Sequence, residues 1–441
     1  MVQAVILAGG KGTRLASRLN GKPKPLIDVD GVPLLKRQLD VLIANGVDDI
    51  ILLVNHAADQ IDDFVNQSHF AANIRLIDDG DPRGTAGATL ACLDLLDETF
   101  LVVYGDTLFD IDISHMLSLH NRAAADATLL LHPNDHPSDS DLVEIDASCR
   151  VTAFHAYPHP TDVHLRNLVN AAFYILNKKA ITPWRAKMPV GDFGKDLFPA
   201  MVDAGATLLG YVSFEYIKDL GTPARLDKAE THLRRGVVER ARRQHPQKAV
   251  FVDRDGTLNE LRGYVRNPDE LDVFPNAGEA LRKLNDAEFR IVLVTNQPVL
   301  ARGECDMMGL DSIHAKLESV LGTAGAYLDA LYVCPHHPDR GFEGEVTELK
   351  RICACRKPGT GLIEAAVEAM NIDLSQSWVI GDSTADIAMA NRLGIRSVLV
   401  ETGEGGKDAK WQGTPSKTCA DIGEAVNAIL ASVNMSKGVL H

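Results

Sequence analysis

Basic residues are in deficit: Lys and Arg total 45 against 60 Asp and Glu, a formal charge of −15 at neutral pH. Such a surface repels polyanions and argues against nucleic acid or an anionic membrane as a partner. Long apolar runs are missing too, none approaching the roughly 18 residues of a membrane-spanning helix. Val2–Leu7 is too short for the core of a secretory signal and runs straight into glycine. Cysteine is scarce: seven in all, unevenly spaced, four of them between Cys305 and Cys355. That argues against a disulfide framework and predicts a reduced, cytoplasmic setting. No internal repeat is visible. What remains is ordinary globular composition, 45% hydrophobic and 24% charged, in 441 residues. This length predicts two domains of about 200 residues each and is compatible with a homo-oligomer.

Strand-like apolar runs alternate with helix-like segments. "QAVILAG", "DIILLVN", "TFLVVYGD", "KAVFVDRDG", "FRIVLVTN", "LDALYVC", "SWVIGD" and "IRSVLV" read as buried strands. Leu35, Leu39, Leu42 and Ile43 make a helix stripe that Gly46 stops. The alternation predicts parallel α/β sheets. The best boundary is the polar, Arg-rich "HLRRGVVERARRQHPQK", so the expected division is 1–231, a linker at 232–247, and 248–441. Its Arg cluster fits a solvated helix or linker better than a polyanion site. A short amphipathic helix is expected near Ile422–Ile429.

"LAGGKGTRL" is a glycine-rich turn leading from a strand into a helix, a place where backbone N–H groups receive phosphate. It lacks the Lys-Ser/Thr pair of a Walker loop, and Leu15 stands where the dinucleotide fingerprint needs its third glycine. Lys22 and Lys24 sit between prolines on a stiff loop, and "PRGTAGATL" is a second Gly-rich turn. Asp106 in "VVYGDT" and Asp219 in "YIKDLGTP" stand at strand ends, where α/β ligands bind; as a pair they suit a Mg²⁺ bridging phosphates.

With "PKPL", "NAAFYIL" and "DLGTP", residues 1–231 resemble the sugar-1-phosphate nucleotidyltransferases. The resemblance implies a Rossmann-like domain with a mixed sheet. It implies that Leu7, Ala8, Gly9, Gly10, Gly12 and Thr13 hold an NTP, with Gly84 and Thr85 at the base. Arg14 and Lys24 would hold the phosphates, Asn170 the sugar, and Asp106 and Asp219 the Mg²⁺. A sugar 1-phosphate oxygen attacks the α-phosphorus and pyrophosphate leaves, chemistry that needs positioning and charge neutralisation. One departure stands out: many relatives carry Glu-Lys-Pro where this chain has "VTAFHAYPHP". His155, His159 or Lys195 are the candidates to replace that lysine.

In the second half, "AVFVDRDGTLN" supplies Asp253 and Asp255 at a strand end, and alternation sends both to one face. A calcium loop is excluded because its later ligands are missing. Thr295 and Asn296 end a second strand, Lys357 opens a helix, and Asp382 and Asp386 follow a third strand. Residues 248–403 thereby resemble the haloacid-dehalogenase phosphatases, an α/β fold with a parallel sheet. The resemblance makes Asp253 the nucleophile that becomes an aspartyl-phosphate and Asp255 the acid and base. Thr295 and Lys357 would hold the phosphoryl, and Asp253, the Asp255 carbonyl and Asp382 a Mg²⁺.

Cys334 and His336 in "CPHH", with Cys353 and Cys355 in "CACRKP", form a closed four-ligand set suited to structural Zn²⁺. It would tie down the loop carrying Arg356 and Lys357. Together with "TNQ" and "ARG", where Arg302 lies at the pocket lip, the set resembles the heptose bisphosphate phosphatases, with histidinol phosphatases as near relatives. Pro298-Val299 replaces the more usual Ser-Gly there.

A heptose bisphosphatase leaves heptose 1-phosphate, which a sugar-1-phosphate nucleotidyltransferase consumes. The first half most resembles heptose guanylyltransferases, which implies GTP and sugar phosphates as substrates. Two other readings stay open: the same reactions with another sugar or base, and a nucleotide-sugar sensor that regulates the phosphatase.

Overall fold

All eight apolar runs are strands: Gln3–Leu7, Asp49–Val54, Thr99–Tyr104, Ala249–Val252, Arg290–Asn296, Ala330–Cys334, Trp378–Gly381 and Arg396–Val400. Their interiors are almost wholly buried except in the edge strand Ala330–Cys334, where only Cys334 is buried, because helices cover both faces of the sheets they form. The computed structural model describes residues 2–438 apart from 11, 56, 161 and 162. Lys11, within the expected nucleotide loop, thus lies outside the described residues.

The chain packs into two units. One comprises Met1–His132, Ser140–Tyr157 and Leu168–Arg243, the other Pro133–Asp139, Pro158–Asn167 and Gln244–His441. The first is built on a nine-stranded mixed sheet. Gln3–Leu7 lies at its centre, parallel to both Asp49–Val54 and Thr99–Tyr104. Val169–Asn177 then runs antiparallel to Thr99–Tyr104 and to Ala127–His132. The helix Leu34–Ala44 covers one face with Leu35, Leu39 and Leu42, all fully buried. Gly46 ends it with φ +82° and an N–H donated to the Ile43 carbonyl at 2.9 Å.

The Arg-rich 232–247 stretch holds the end of the helix Pro223–Arg234 and the short helix Val237–Arg240. Arg242 donates to Asp110 at 2.8 Å, and Arg243 stacks on Phe214 at 5.0 Å. These arginines serve internal contacts of their unit.

The second unit carries six strands in the order Ala330–Cys334, Arg290–Asn296, Ala249–Val252, Trp378–Gly381, Arg396–Val400, Lys417–Cys419. Every pairing is parallel. The carboxyl ends of the three central strands therefore point the same way and bring their following loops together. The expected C-terminal helix spans Ile422–Gly438. Two short stretches that precede residue 231 belong to this unit. Within it, Arg166 Nε donates to Glu318 at 2.7 Å and the Asn167 N–H to the same carboxylate at 3.0 Å.

Candidate active sites

A cleft of about 530 Å³ opens over the carboxyl end of the Gln3–Leu7 strand. Leu7, Ala8, Gly9, Gly10, Gly12, Gly84, Thr85, Asp106 and Lys24 all line it. Sequence reasoning missed Asn55, Asp79, Arg83 and Tyr104, which line it too. Gly84 has φ +71°, and a Cβ there would meet the Gly191 carbonyl oxygen at 2.4 Å, so only glycine fits. That carbonyl also accepts from the N–H groups of Ala86 and Gly87, locking the second glycine turn.

The two strand-end carboxylates meet through a small ribbon. Thr107–Asp110 pairs antiparallel with Tyr216–Asp219, which sets Asp219 opposite Thr107, beside Asp106. The Leu220 N–H donates to the Asp106 carbonyl at 2.9 Å and fixes the register. Each carboxylate has a cation: Lys24 Nζ lies 2.5 Å from Asp106, and Arg225 pairs with Asp219. Arg225 was not anticipated. Arg14 and Asp219 converge, since a Cβ added to Gly221 would lie 3.2 Å from Arg14 Nη2 and 3.0 Å from the Asp219 carboxylate. Thr13 opens the short turn that carries Arg14.

Thr85 is committed to a network. Its hydroxyl donates to Asp192 at 2.6 Å and accepts from Tyr104 at 3.0 Å and from the Phe193 N–H at 3.1 Å. Asn170 Nδ2, Asp192 Oδ1 and Asp141 Oδ2 lie 3.0, 3.7 and 3.8 Å from one point, the Cβ position that Gly194 leaves empty. Lys195 is exposed. His155 pairs across strands with Glu144 at 2.9 Å, and His159 falls in the Pro158–Asn167 stretch of the second unit.

In the second unit, Lys357 Nζ sits 2.6 Å from Asp253 and 2.7 Å from Asp386, and donates to the Val294 carbonyl at 2.9 Å. Burial works to neutralise this lysine, but the charges of Asp253 and Asp386 outweigh it and hold its pKa above the ordinary value. Burial raises Asp253 to about 6 against the pull of Lys357. Asp382 goes further, to about 8, pushed first by burial and then by the charges of Asp253 and Asp386.

Acidic oxygens of Asp253, Asp382 and Asp386 lie within 4.8 Å of one another. A buried cluster of like charges that drives a carboxyl to such a pKa is one a hard cation would relieve, so the oxygen donors fit Mg²⁺. Gly256, at φ +83°, makes room: a Cβ there would fall 2.2 Å from Asp382 Oδ2. Asp386 divides its oxygens: Oδ1 faces Lys357, and Oδ2 accepts from Ser383 Oγ at 2.6 Å in a capping box that starts the helix Thr384–Leu393.

Asp255 faces different partners. Burial would raise its pKa, but the Arg254 charge and the hydrogen bonds of Arg254, Gln297 and Asn259 hold it below the usual carboxylate value. Thr295 Oγ1 accepts from Gln297 Nε2 at 2.9 Å. Asn296 braces the lysine loop, its Oδ1 accepting from the Lys357 N–H at 3.0 Å. Arg254 and Gln297 were missed, although they sit inside the motifs that flagged their neighbours.

Cys334, His336, Cys353 and Cys355 converge as expected. Their sulfurs and His336 Nδ1 lie 3.2–3.8 Å apart in the five pairs that touch. Arg356 Nη1 donates to the His336 carbonyl at 3.1 Å, joining this cluster to the catalytic loop. Arg302 stacks between Tyr264 and Phe342, at 4.8 and 4.1 Å, and pairs with Glu304 at 2.6 Å.

The nucleotidyl transferase family matches residues 3–236, more than half of the 441-residue chain, and the HAD-hydrolase-like family matches residues 354–425. The D-glycero-beta-D-manno-heptose-1,7-bisphosphate 7-phosphatase of Bordetella bronchiseptica is 35% identical over 186 residues, which cover 42% of this chain and 98% of that protein. The chain belongs to the nucleotidyl transferases and, in its second half, to the HAD-like phosphatases. The phosphatase of the same name from Escherichia coli K12 is 36% identical over 158 residues, 35% of this chain and 80% of that protein. The crystal structure of HddC from Yersinia pseudotuberculosis is 28% identical, covers 53% of this chain and 100% of its own, and has a TM-score of 0.47. The nucleotidyltransferase–phosphatase chain is therefore an enzyme with two chemistries. Among the described residues no helix is long and apolar enough to cross a membrane.

Proposed function

We propose that the chain carries out two successive steps of heptose activation in the cytoplasm. The second half removes the 7-phosphate of D-glycero-D-manno-heptose 1,7-bisphosphate. The first half transfers GMP from GTP to heptose 1-phosphate, giving GDP-heptose and pyrophosphate. The observation that carries this reading is the pairing itself. A phosphatase half like heptose bisphosphate phosphatases stands in one chain with a nucleotidyl transferase half, and the product of one is the substrate of the other. Histidinol phosphatases have no such relation to a nucleotidyl transferase. GTP rests on the motif resemblance of residues 1–231.

In the phosphatase, Asp253 attacks phosphorus to form an aspartyl-phosphate, and Asp255 gives a proton to the departing sugar oxygen. Asp255 then takes a proton from the water that cleaves the acyl phosphate. Thr295 and Lys357 hold the phosphoryl oxygens, and Arg302 and Arg356 the rest of the substrate. Mg²⁺ held by Asp253, the Asp255 carbonyl and Asp382 would supply neutralisation of the phosphoryl charge. The Cys334, His336, Cys353 and Cys355 set is a structural Zn²⁺ site. Support comes from spacing, since a tetrahedron with Zn–S bonds of about 2.3 Å has edges of about 3.7 Å.

In the transferase, the backbone N–H groups of Gly9–Thr13, with Arg14 and Lys24, hold the triphosphate, and Thr85 lies by the base. Asn170 and Lys195 hold the sugar. Asp106 and Asp219, adjacent through the ribbon, would hold a Mg²⁺ that supplies neutralisation of phosphate charge once the triphosphate draws the neighbouring cations away from them.

The test incubates the protein with a panel of sugar phosphates against four NTPs, following phosphate and pyrophosphate. Phosphate is expected from heptose 1,7-bisphosphate, and pyrophosphate from heptose 1-phosphate with GTP. Preference for a hexose or another NTP would change the sugar or base. Pyrophosphate from no pairing would make the first half a nucleotide-sugar sensor.

A further inference from the structure

Three glycines stand among the five residues Thr402–Gly406, just past the strand Arg396–Val400. The loop they form folds onto Asp382. The Glu404 N–H donates to Asp382 Oδ2 at 2.7 Å, and the Gly406 N–H donates to the Asp382 carbonyl at 2.8 Å. Gly403 permits that approach: its φ is +60°, and a Cβ there would overlap Asp382 Oδ2. One residue earlier, Thr402 Oγ1 donates to the Gly256 carbonyl at 2.6 Å. Gly256 is the hinge of the turn that carries Asp253 and Asp255, and glycine is the residue whose backbone rotates most freely. Each of its two flanking peptide planes is tied by one bond. The plane before it holds the Asp255 carbonyl and the Gly256 N–H as one rigid unit, and that N–H donates to the Asn259 carbonyl at 2.8 Å. The plane after it holds the Gly256 carbonyl, which Thr402 ties.

Asp382 and the Asp255 carbonyl are two of the groups proposed above to hold Mg²⁺. The loop that begins at Thr402 therefore reaches both: its hydroxyl secures the hinge beside the Asp255 carbonyl, and its backbone secures the Asp382 carboxylate. We propose that Thr402 is a positioning residue for the phosphatase cation, fixing the Gly256 hinge so that the oxygen donors stand ready before the ion arrives. The inference rests on the phosphatase reading above. Thr402 acts through Gly256 and is itself no ligand of the ion. Metal affinity depends on donors already in place, and outer partners that orient them are worth about 10- to 100-fold of it. The hydroxyl is the part that matters, since a valine has nearly the same shape and no proton to give.

Mn²⁺ is the probe, with the free ion counted by electron paramagnetic resonance in titrations of the full chain. The phosphatase ion is the one that Asp382→Asn loses. Thr402→Val should weaken binding of that ion by about 10-fold or more and leave any other Mn²⁺ site as in the wild type. Thr402→Ser keeps the hydroxyl and should stay within about threefold of the wild type. In the valine variant the Mg²⁺ concentration that half-saturates phosphate release should rise by the same factor as the loss of Mn²⁺ affinity. Its melting temperature without added Mn²⁺ or Mg²⁺ should fall by no more than about 4 °C, the loss of one hydrogen bond. If Thr402→Val does not fold, Thr402→Ala is held to the same criteria. Unchanged Mn²⁺ affinity in the valine variant, or equal weakening in the valine and serine variants, overturns the role of Thr402 and leaves the phosphatase reading intact. A larger fall in melting temperature makes the weakening a folding defect and overturns it too. Wild-type protein that binds no more Mn²⁺ than Asp382→Asn, and releases no phosphate from heptose 1,7-bisphosphate, overturns both.

Discussion

Lys24 is 9% exposed and spends its charge on Asp106 at 2.5 Å, with both residues lining the cleft. In the proposed transferase a triphosphate would compete for the lysine and a cation for the carboxylate. Lys24→Ala should therefore remove a charge-assisted contact to the transferring phosphates, costing pyrophosphate release about 100-fold or more. Phosphate release from the bisphosphate should be unchanged. Assaying both products on one preparation checks this, and equal loss of both would point to misfolding. At this scale the sequence was legible wherever chemistry and turn sat together: Asp253, Asp255, Lys357 and the glycine loop all announced themselves within their motifs. Arg254, Gln297 and Arg225 did not. Their partners are set by how a long side chain folds back on its own loop, and spacing along the chain carries no such information.

Single elements decide whether distant motifs meet. Asp106 and Asp219 are far apart in sequence and adjacent only because the strands Thr107–Asp110 and Tyr216–Asp219 pair in one register. A slip of one residue would turn Asp219 away. The two carboxylates were readable; the ribbon joining them was not, since four-residue strands leave little periodicity. The Cys/His loop is the opposite case. Its ligands come in two close pairs, Cys334 with His336 and Cys353 with Cys355, so spacing alone brought out the constellation. Between the pairs lies chain with only one short turn, Thr347–Leu349. Buried Lys350 braces it from within, donating to the Asp339 carbonyl at 2.8 Å, and the Cys/His cluster joins its ends. Cys353→Ser should lower the zinc content and the melting temperature of the phosphatase half together, because ligation and folding are coupled there. Metal analysis beside calorimetry checks it; an unchanged zinc stoichiometry with unchanged stability would take Cys353 out of the ligand set.

For the whole molecule, alternating strands and helices revealed the α/β class, but not strand order, nor that Pro133–Asp139 and Pro158–Asn167 belong to the second unit. Order and insertion are long-range choices; periodicity is local. On the proposed function, charge sets the expected order of the two reactions. Asn170, Asp192 and Asp141 converge on one point near the proposed sugar, and two of the three are carboxylates. A 7-phosphate carries about two negative charges and would be repelled there, whereas a neutral hydroxymethyl end would be accepted as a hydrogen-bond donor. With heptose 1,7-bisphosphate, GTP and Mg²⁺, phosphate should appear before pyrophosphate, and GDP-heptose should accumulate. Asp253→Asn should stop the sequence at the bisphosphate, because an amide is a poor nucleophile. Heptose 1-phosphate supplied directly should restore nucleotide-sugar formation in that variant to the wild-type rate. Time courses of both products, with and without that supplement, decide the matter. Should Asp253→Asn make a nucleotide sugar from the bisphosphate at the wild-type rate, the acidic cradle does not discriminate and the two steps are not ordered.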